Sequence, residues 1–403
     1  MSHDSPAVTA SPSSDPPADP FNFPQQELWR DGALLGEALD RMRASGQVIL
    51  GEGVRRFEQA LGAWLGGDGP APEVIGVANG TDALELALRG SGVQAGDRVL
   101  LPSHTAYATL AAVLRIDAVP VFVDLERGRA VLAPDHVDAL LSRSAGSPGE
   151  QPRALIAVHL YGEACDLDAL GALCDQHSVA LIEDCAQATG TLVGGRPVGT
   201  RGRFAAFSFY PTKNLAAFGD GGALVVNHPE DAEWARRSRF YGWDEQREAV
   251  QFGINSRLDE LQAWVLLGKL PHLEQRIRQR RQVAAWYAEL LGDRVTLPRD
   301  GSGWRHGFHL HVVEVEPSLR DPLLAAGRQA GLPLAVHYPL PCHRHPHVIQ
   351  RFGAAAGLPC TEELVARILT LPLHPYLPRD EVERVCEGLL PLLERAFQAG
   401  GTG

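Results

Sequence analysis

Apolar residues along this chain follow two rhythms. Short, nearly unbroken apolar runs recur at residues 74–78, 99–101, 121–123, 154–159, 179–183, 204–209 and 223–226. Runs this short and this apolar predict strands buried on both faces. Several of the gaps between them carry a helical spacing of apolar residues, as in Ala83-Leu84-Glu85-Leu86-Ala87-Leu88. Strands alternating with helices predict an α/β fold, here a large three-layer α/β/α domain around a mostly parallel seven-stranded sheet.

The rhythm changes past residue 258. A helix at 258–270 leads into a long charged helix at 274–291, an alternating strand at 308–315 and a last amphipathic helix at 380–397. This predicts a large domain over residues 21–270 and a smaller C-terminal α/β domain over 271–403. Residues 1–20 are rich in Ser, Pro, Ala and Asp and nearly free of large apolar side chains, so a disordered tail is expected there. Arg276, Arg278, Arg280 and Arg281 crowd one stretch of the charged helix beside Glu274, which reads as a solvated face.

Composition narrows the class. With 403 residues, 45% of them hydrophobic, the chain has enough apolar surface for two cored domains. A net charge of −12 argues against a nucleic-acid binder, yet leaves room for a nucleotide ligand that needs only a local cluster of donors. No apolar run is long enough to cross a membrane. Cys165, Cys174, Cys185, Cys342, Cys360 and Cys386 form no CxxC pair and follow no secretory start, which predicts free thiols in a reducing cytoplasm. His337, His343, His345 and His347 lie close together, but Pro339, Pro341 and Pro346 interrupt them. A loop with one or two substrate-facing histidines is expected there rather than a metal site.

Three strand ends carry candidate chemistry. The run Phe207-Ser208-Phe209-Tyr210-Pro211-Thr212-Lys213-Asn214 places Lys213 just past an apolar strand, where open α/β sheets bind ligands. A lysine there is either a solvated loop residue or an amine that holds an aldehyde cofactor and shuttles its proton. The strand before it ends in Glu183-Asp184-Cys185-Ala186-Gln187-Ala188. Two acids at a strand end suggest a metal site, a solvated turn, or a carboxylate that pairs with a cationic ring nitrogen. Earlier, Asn79-Gly80-Thr81-Asp82 joins a strand to a helix. The spacing of Asp82 and Glu85 predicts a capping box, with an anion site at Gly80 and Thr81 beside Ser208.

Further segments join these in a family resemblance. Ala78 to Leu84, Val158-His159-Leu160-Tyr161-Gly162, Glu183 to Ala188, Phe207 to Asn214, Gly219-Asp220-Gly221-Gly222-Ala223, Gly253 to Ala263 and His337-Tyr338-Pro339 resemble, in order, the motifs of the sugar aminotransferases of antibiotic and cell-surface sugar biosynthesis. The match covers about residues 22 to 395. It implies a homodimeric pyridoxal 5′-phosphate enzyme of the aspartate aminotransferase fold type. By the same resemblance Lys213 is the Schiff-base lysine, Asp184 the partner of the pyridine nitrogen and Gln187 the neighbour of the ring hydroxyl. Gly80, Thr81 and Ser208 become phosphate ligands, joined by Asn255 from the other subunit, although Asn255 also reads as a helix cap. Tyr210, His337 and Tyr338 become residues of the sugar pocket.

Two departures stand out. An aromatic usually follows the Thr of the family's Pro-Ser-x-Thr motif and stacks on the cofactor ring; here Pro102-Ser103-His104-Thr105 is followed by Ala106, which makes Tyr107 the next candidate, or else a packed core tyrosine. Thr189 stands where His commonly follows Ala-Gln-Ala. The implied reaction moves an amino group from L-glutamate to a keto sugar on a nucleoside diphosphate. The Gly219 to Gly222 stretch and the Asn255 to Glu260 stretch look closer to the branch that aminates C3 than to C4 enzymes. The alternatives are a glutamine-dependent cyclitol aminotransferase and a non-catalytic regulatory protein that binds the cofactor. A dehydratase branch, which has His in place of the lysine, is disfavoured by Lys213.

Overall fold

A computed structural model describes residues 19–144, 149–355 and 357–400; the tail expected to be disordered lies, through residue 18, outside the described residues. Seven strands form one sheet: β1 (Glu73–Val77), β2 (Arg98–Pro102), β3 (Val119–Val123), β4 (Ala154–Val158), β5 (Ala180–Asp184), β6 (Phe204–Ser208) and β7 (Gly222–Val226). Their order is β1-β7-β6-β5-β4-β2-β3. Only β7 runs against the others, so the C-terminal ends of the remaining strands share one edge. All five residues of β4 and of β7 are buried, because helices cover both faces.

Each face of the sheet owns a core. Ile75, Leu101, Ile156, Ala206 and Leu224 pack with the helix Gly80–Gly90 on one side. Val74, Ala205, Phe207 and Val225 pack with the helix Glu52–Gly66 on the other. The period-2 alternation along each strand sends neighbours to opposite faces, which is why Ala205 and Ala206 fall in different cores. A third core gathers Val283, Tyr287, Val313, Leu369, Val385 and Leu389 around the antiparallel pair His311–Glu314 and Ile368–Leu371. The expected strand at 308–315 is shorter than its alternation suggested. Phe308 has φ 47°, a left-handed backbone that ends strand geometry before His311.

The arginine-rich helix, Leu273–Leu291, corrects the sequence reading. Arg278 is exposed, but Arg276 and Arg280 are buried and Arg281 is half-buried. Arg276 donates to Glu27 Oε1 at 3.0 Å and to Asp31 Oδ2 at 2.6 Å, and Tyr376 Oη donates to the same Glu27 oxygen at 3.1 Å. Lys269, fully buried, adds a bond to the other Glu27 oxygen and one to Ala216 O at 2.8 Å. Arg280 reaches the carbonyls of His309 at 3.2 Å and Phe308 at 3.3 Å. The helix Phe23–Asp31 thereby anchors the face read as solvated, through partners more than two hundred residues away in the chain. None of the described helices is long and apolar enough to cross a membrane.

Glu27 is the hinge of this network, since it balances two buried cations. Glu27→Ala leaves Lys269 and Arg276 without it in a low-dielectric interior, which costs about 3 to 5 kcal/mol. The expected result is a lower urea midpoint with the N-terminal helix opening first, read by hydrogen exchange.

Candidate active site

The shared edge of the sheet collects the predicted chemistry. After β1, Asn79 caps the helix Gly80–Gly90: its Oδ1 accepts from the N–H of Asp82 at 2.8 Å. The capping box expected at Asp82 is therefore not formed. Asp82 sits inside the first turn, where its carboxylate takes Arg115 at 2.7 Å and the Ser256 hydroxyl at 2.7 Å, and Glu85 also pairs with Arg115. The N–H groups of Gly80 and Thr81 have no intrahelical acceptor, so the helix end presents an anion cradle.

Two close approaches shape that cradle. A Cβ on Gly80 would stand 2.9 Å from Ser208 Cβ, and a Cβ on Gly222 would stand 2.4 Å from the Asn79 carbonyl carbon. Ser208 and Val77 both pair with Gly222, which puts the ends of β1 and β6 and the start of β7 at one level. Only glycine fits the two positions without displacing the backbone that holds the cradle.

Asp184 closes β5 one strand away. Its Oδ2 accepts from Thr109 Oγ1 at 2.8 Å and its Oδ1 from the N–H of Ala186 at 3.1 Å. Burial pushes its pKa up, while those hydrogen bonds and the charge of Lys213 pull it back toward the ionised form. Lys213 follows β6 in a turn closed by its own N–H to Tyr210 O at 2.8 Å. Burial lowers its pKa from 10.5 to about 8, against the pull of Asp184. Glu183, next to Asp184, points the other way: it accepts from the N–H groups of Gly199, Arg201 and Gly202 at 2.7 to 2.8 Å and meets His159 Nε2 at 3.1 Å. His159, Glu183 and Cys185 are close enough together to suggest a metal site. His159 Nδ1, however, accepts from Cys165 N–H at 3.1 Å and Glu183 is already bonded four times, which explains the group as a structural hydrogen-bond hub.

Gln187 is held in one orientation. Its Oε1 accepts from Tyr161 N–H at 2.8 Å and its Nε2 donates to Tyr338 Oη at 3.0 Å, so only the second Nε2 hydrogen is left for the cavity. Gln187 therefore offers a donor to whatever lies there, which suits an anionic oxygen. Tyr161, with φ 61°, is fixed by this bond and by a hydroxyl contact to His337 O.

A cavity of about 240 Å³ is lined by Gly80, Thr81, Asp184, Gln187, Ser208, Tyr210 and Lys213. A larger cleft of about 650 Å³ lies by Arg129, Glu163 and Trp304, but Arg129 is spent on Glu126 and Glu163, and Arg201 on Asp168. The smaller cavity holds the uncommitted donors, and the site is there. Of the other predicted residues, Tyr338 touches it through Gln187, while His337 turns to Thr370 Oγ1 at 2.9 Å. Asn255 is exposed and outside the lining, and it caps no helix, since the next one starts at Glu260. His343 is buried on Ser103 Oγ at 2.6 Å.

Tyr107 does not stack over the cavity. It opens the helix Tyr107–Arg115, and its neighbours Ala106 and Ala108 line the cavity instead. The turn from extended to helical backbone carries the Tyr107 ring outward, 39% exposed, onto His345 and His347. Thr109 and Asn214 were missed. Thr109, in the first turn of that helix, meets the hydroxyl of Thr105 just before it at 2.9 Å. Asn214 donates to Thr189 O and Gly307 O, both at 2.9 Å, which locks the loop beside Lys213; its place directly after Lys213 was the available signal.

Comparison with known proteins decides the family. The sequence profile of the DegT/DnrJ/EryC1/StrS aminotransferase family matches residues 32–390. The chain belongs to that family. A DegT/DnrJ/EryC1/StrS relative named dTDP-3-amino-3,4,6-trideoxy-alpha-D-glucose transaminase, from Micromonospora megalomicea subsp. nigra, is 39% identical over 90% of this chain and 96% of its own. A pleiotropic regulatory protein of Geobacillus stearothermophilus is 38% identical over 87% of this chain and 91% of its own. Among solved structures, S. venezuelae DesV in complex with a ketimine intermediate superposes with TM-score 0.85 at 37% identity, covering 92% of this chain and 97% of that one. The protein is a pyridoxal-phosphate-dependent aminotransferase of the aspartate aminotransferase fold type.

The residues fit that cofactor. An N–H cradle with no room for a Cβ suits a phosphate, Asp184 suits a ring N–H, the remaining Gln187 hydrogen suits a ring oxygen, and Lys213 is an amine poised near neutrality. The balance of Lys213 and Asp184 is testable in cofactor-free protein. Acylation of Lys213, counted by peptide mass spectrometry, is expected to have its midpoint near pH 8. Asp184→Asn removes the charge that favours the ammonium, so the midpoint is expected to move down; an upward move contradicts the arrangement.

Proposed function

We propose that this aminotransferase moves an amino group from L-glutamate to the keto carbon, C3 in preference to C4, of a sugar carried by a nucleoside diphosphate. The observation that carries the reading is the meeting of Lys213, Asp184 and the Gly80–Thr81–Ser208 cradle in one cavity. The 3-amino sugar in the name of the Micromonospora relative supports C3. When bound, pyridoxal phosphate supplies an aldehyde carbon open to amines and a ring that takes up an electron pair. Asp184, whose carboxylate accepts from Thr109 and the Ala186 N–H, would hold the ring nitrogen protonated. The N–H groups of Gly80 and Thr81 with the Ser208 hydroxyl orient the phosphate. Lys213 would hold the cofactor through its amine and, as a free amine, would carry the donor's α-proton. A lysine whose pKa is about 8 is part free amine near neutrality, as a proton shuttle requires. Tyr210, half exposed on the rim of the cavity, faces the incoming sugar.

We further infer that the working unit is a homodimer with shared sites. Ser256 donates to Asp82 at 2.7 Å and accepts from Ala78 N–H at 3.0 Å, so its neighbour Asn255 stands on the outer side of its own cradle. An exposed amide fixed there suits the phosphate of a facing subunit. The free cysteines support a cytoplasmic setting. The regulatory name of the Geobacillus relative keeps a non-catalytic reading in view, and the presence of Lys213 and Asp184 in one cavity speaks for turnover.

Nucleoside diphosphate 3-keto and 4-keto sugars, each incubated with glutamate or glutamine, test the substrate. The expected product is an amino sugar in which NH2 and H replace the keto oxygen, formed fastest from a 3-keto sugar with glutamate; amination of keto-inositol alone supports the cyclitol alternative. Lys213→Ala is expected to abolish turnover while the protein still retains cofactor non-covalently, as seen by its absorbance after gel filtration. Mixing Lys213→Ala protein with an inactive Asn255→Ala protein tests the shared site. Each symmetric heterodimer regains one intact site, so after full exchange activity is expected to return to about a quarter of wild type. No recovery despite demonstrated exchange places Asn255 in its own subunit.

A further inference from the structure

Ser256 is fully buried, and its hydroxyl is bonded on both sides of the anion cradle. It donates to Asp82 Oδ2 at 2.7 Å and accepts from the N–H of Ala78 at 3.0 Å. The residues between those two anchors, Asn79, Gly80 and Thr81, are the cradle itself. Asp82 carries the link further. It also binds Arg115 at 2.7 Å, the last residue of the helix whose Thr109 donates to Asp184. One hydroxyl therefore ties the segment 254–256 to the supports of both the cradle and the acid.

That segment belongs to a stiff arm. Tyr241 N–H donates to Ile254 O at 2.9 Å, Ile254 N–H to Ser238 O at 2.7 Å and Ser256 N–H to Arg239 O at 2.9 Å, while Asn255 is bridged to Phe240. Arg239 in turn donates to Gly76 O of β1 at 3.0 Å. The two runs of the arm approach so closely that a Cβ on Gly253 would stand 1.9 Å from Gly242 N. Extended backbone sends successive side chains to opposite sides, so Ser256 is buried against its own cradle and Asn255 is exposed. A displacement of the cradle reaches Asn255 through one buried hydrogen bond and one peptide unit.

We propose that Ser256 and Asp82 are positioning residues for the cofactor phosphate of the facing subunit, so that filling one site of the dimer favours filling the other. This rests on the reading of Asn255 as a ligand contributed across the dimer. A phosphate at Gly80 and Thr81 orders the first turn of their helix, Asp82 in that turn holds the Ser256 hydroxyl, and Ser256 fixes the Asn255 amide that the second site uses. An amide already held in place loses less freedom on binding than a mobile one. The second phosphate then binds more tightly, and the effect is reciprocal because both subunits carry the same bond.

Equilibrium dialysis of the full-length dimer against pyridoxamine 5′-phosphate tests this, because that form of the cofactor binds without an imine to Lys213. Melting temperature and sedimentation screen each variant for folding and dimerisation. Wild type is expected to bind cooperatively, with a Hill coefficient above one. Ser256→Ala is expected to bind about fivefold or more weakly and to bring the coefficient close to one. Asp82→Asn weakens the same bond from its other end and is expected to lower the coefficient too, which tests the link even if Ser256→Ala does not fold. A merely structural role would lower the melting temperature and leave the cooperativity in place. Independent loading of the two wild-type sites overturns the coupling without any variant, and so do folded, dimeric Ser256→Ala and Asp82→Asn proteins that bind as wild type does. Asn255→Ala separates the two readings. If it binds as tightly as wild type, the shared site itself fails and the coupling falls with it; if it binds weakly while wild type loads its sites independently, the shared site stands and only the coupling is lost.

Discussion

Everything in this site depends on two opposite charges sharing one poorly solvated pocket. Burial alone would drive both Lys213 and Asp184 toward neutrality, since neither an isolated ammonium nor an isolated carboxylate is stable away from water. Each offsets part of the cost for the other, and the outcome is an amine near pH 8 rather than 10.5. The sheet makes the pairing possible. β5 and β6 are parallel neighbours with Asp184 opposite Ala206, so the acid and the loop carrying the lysine emerge from the same edge by register alone.

The surrounding structure serves to hold that pairing still. Asp184 is oriented by Thr109, and Thr109 by Thr105, which reaches back to the end of β2. The Lys213 loop is fixed on one side by Asn214 across to Gly307 and on the other by Lys269 under Ala216. Glu183 satisfies three backbone N–H groups on the opposite face of the sheet, while Asp184 takes only one, that of Ala186. Adjacent acids thus divide the work because strand geometry sends them to opposite sides.

Much of this was legible in the sequence, and the reason is local. Strand ends, glycine turns and an acid or amine just past an apolar run are short-range signals, and the residues they single out, Asp184, Lys213, Gly80, Thr81, Gln187, Ser208 and Tyr210, line one cavity. What stayed hidden depends on distant partners. Nothing near Arg276 or Arg280 reveals that Glu27, Asp31 and the carbonyls of Phe308 and His309 will surround them, so a charged stretch reads as solvated when it is buried. The cap at Asn79 was overlooked because Asp82 and Glu85 have the same spacing as a capping box, and the competing partners Ser256 and Arg115 lie far along the chain. Tyr107 was misread because its direction depends on where the helix begins. One residue decides between the cavity and the surface.

The same reasoning shows why the two halves of the chain cannot act independently. Tyr161, which positions Gln187, accepts from His309 N–H at 2.9 Å through its carbonyl, and a Cβ on its neighbour Gly162 would stand 2.8 Å from Phe308 N. Gly307 O is also the acceptor that locks Asn214. The segment 307–309, itself gripped by Arg280 on the long helix, therefore touches the supports of both Gln187 and Lys213. A movement of that helix would loosen both Gln187 and the loop that carries Lys213. Buried Arg280 is thus less a surplus charge than a tie between the C-terminal helices and the chemistry, acting through backbone carbonyls that no reading of side-chain types can reveal.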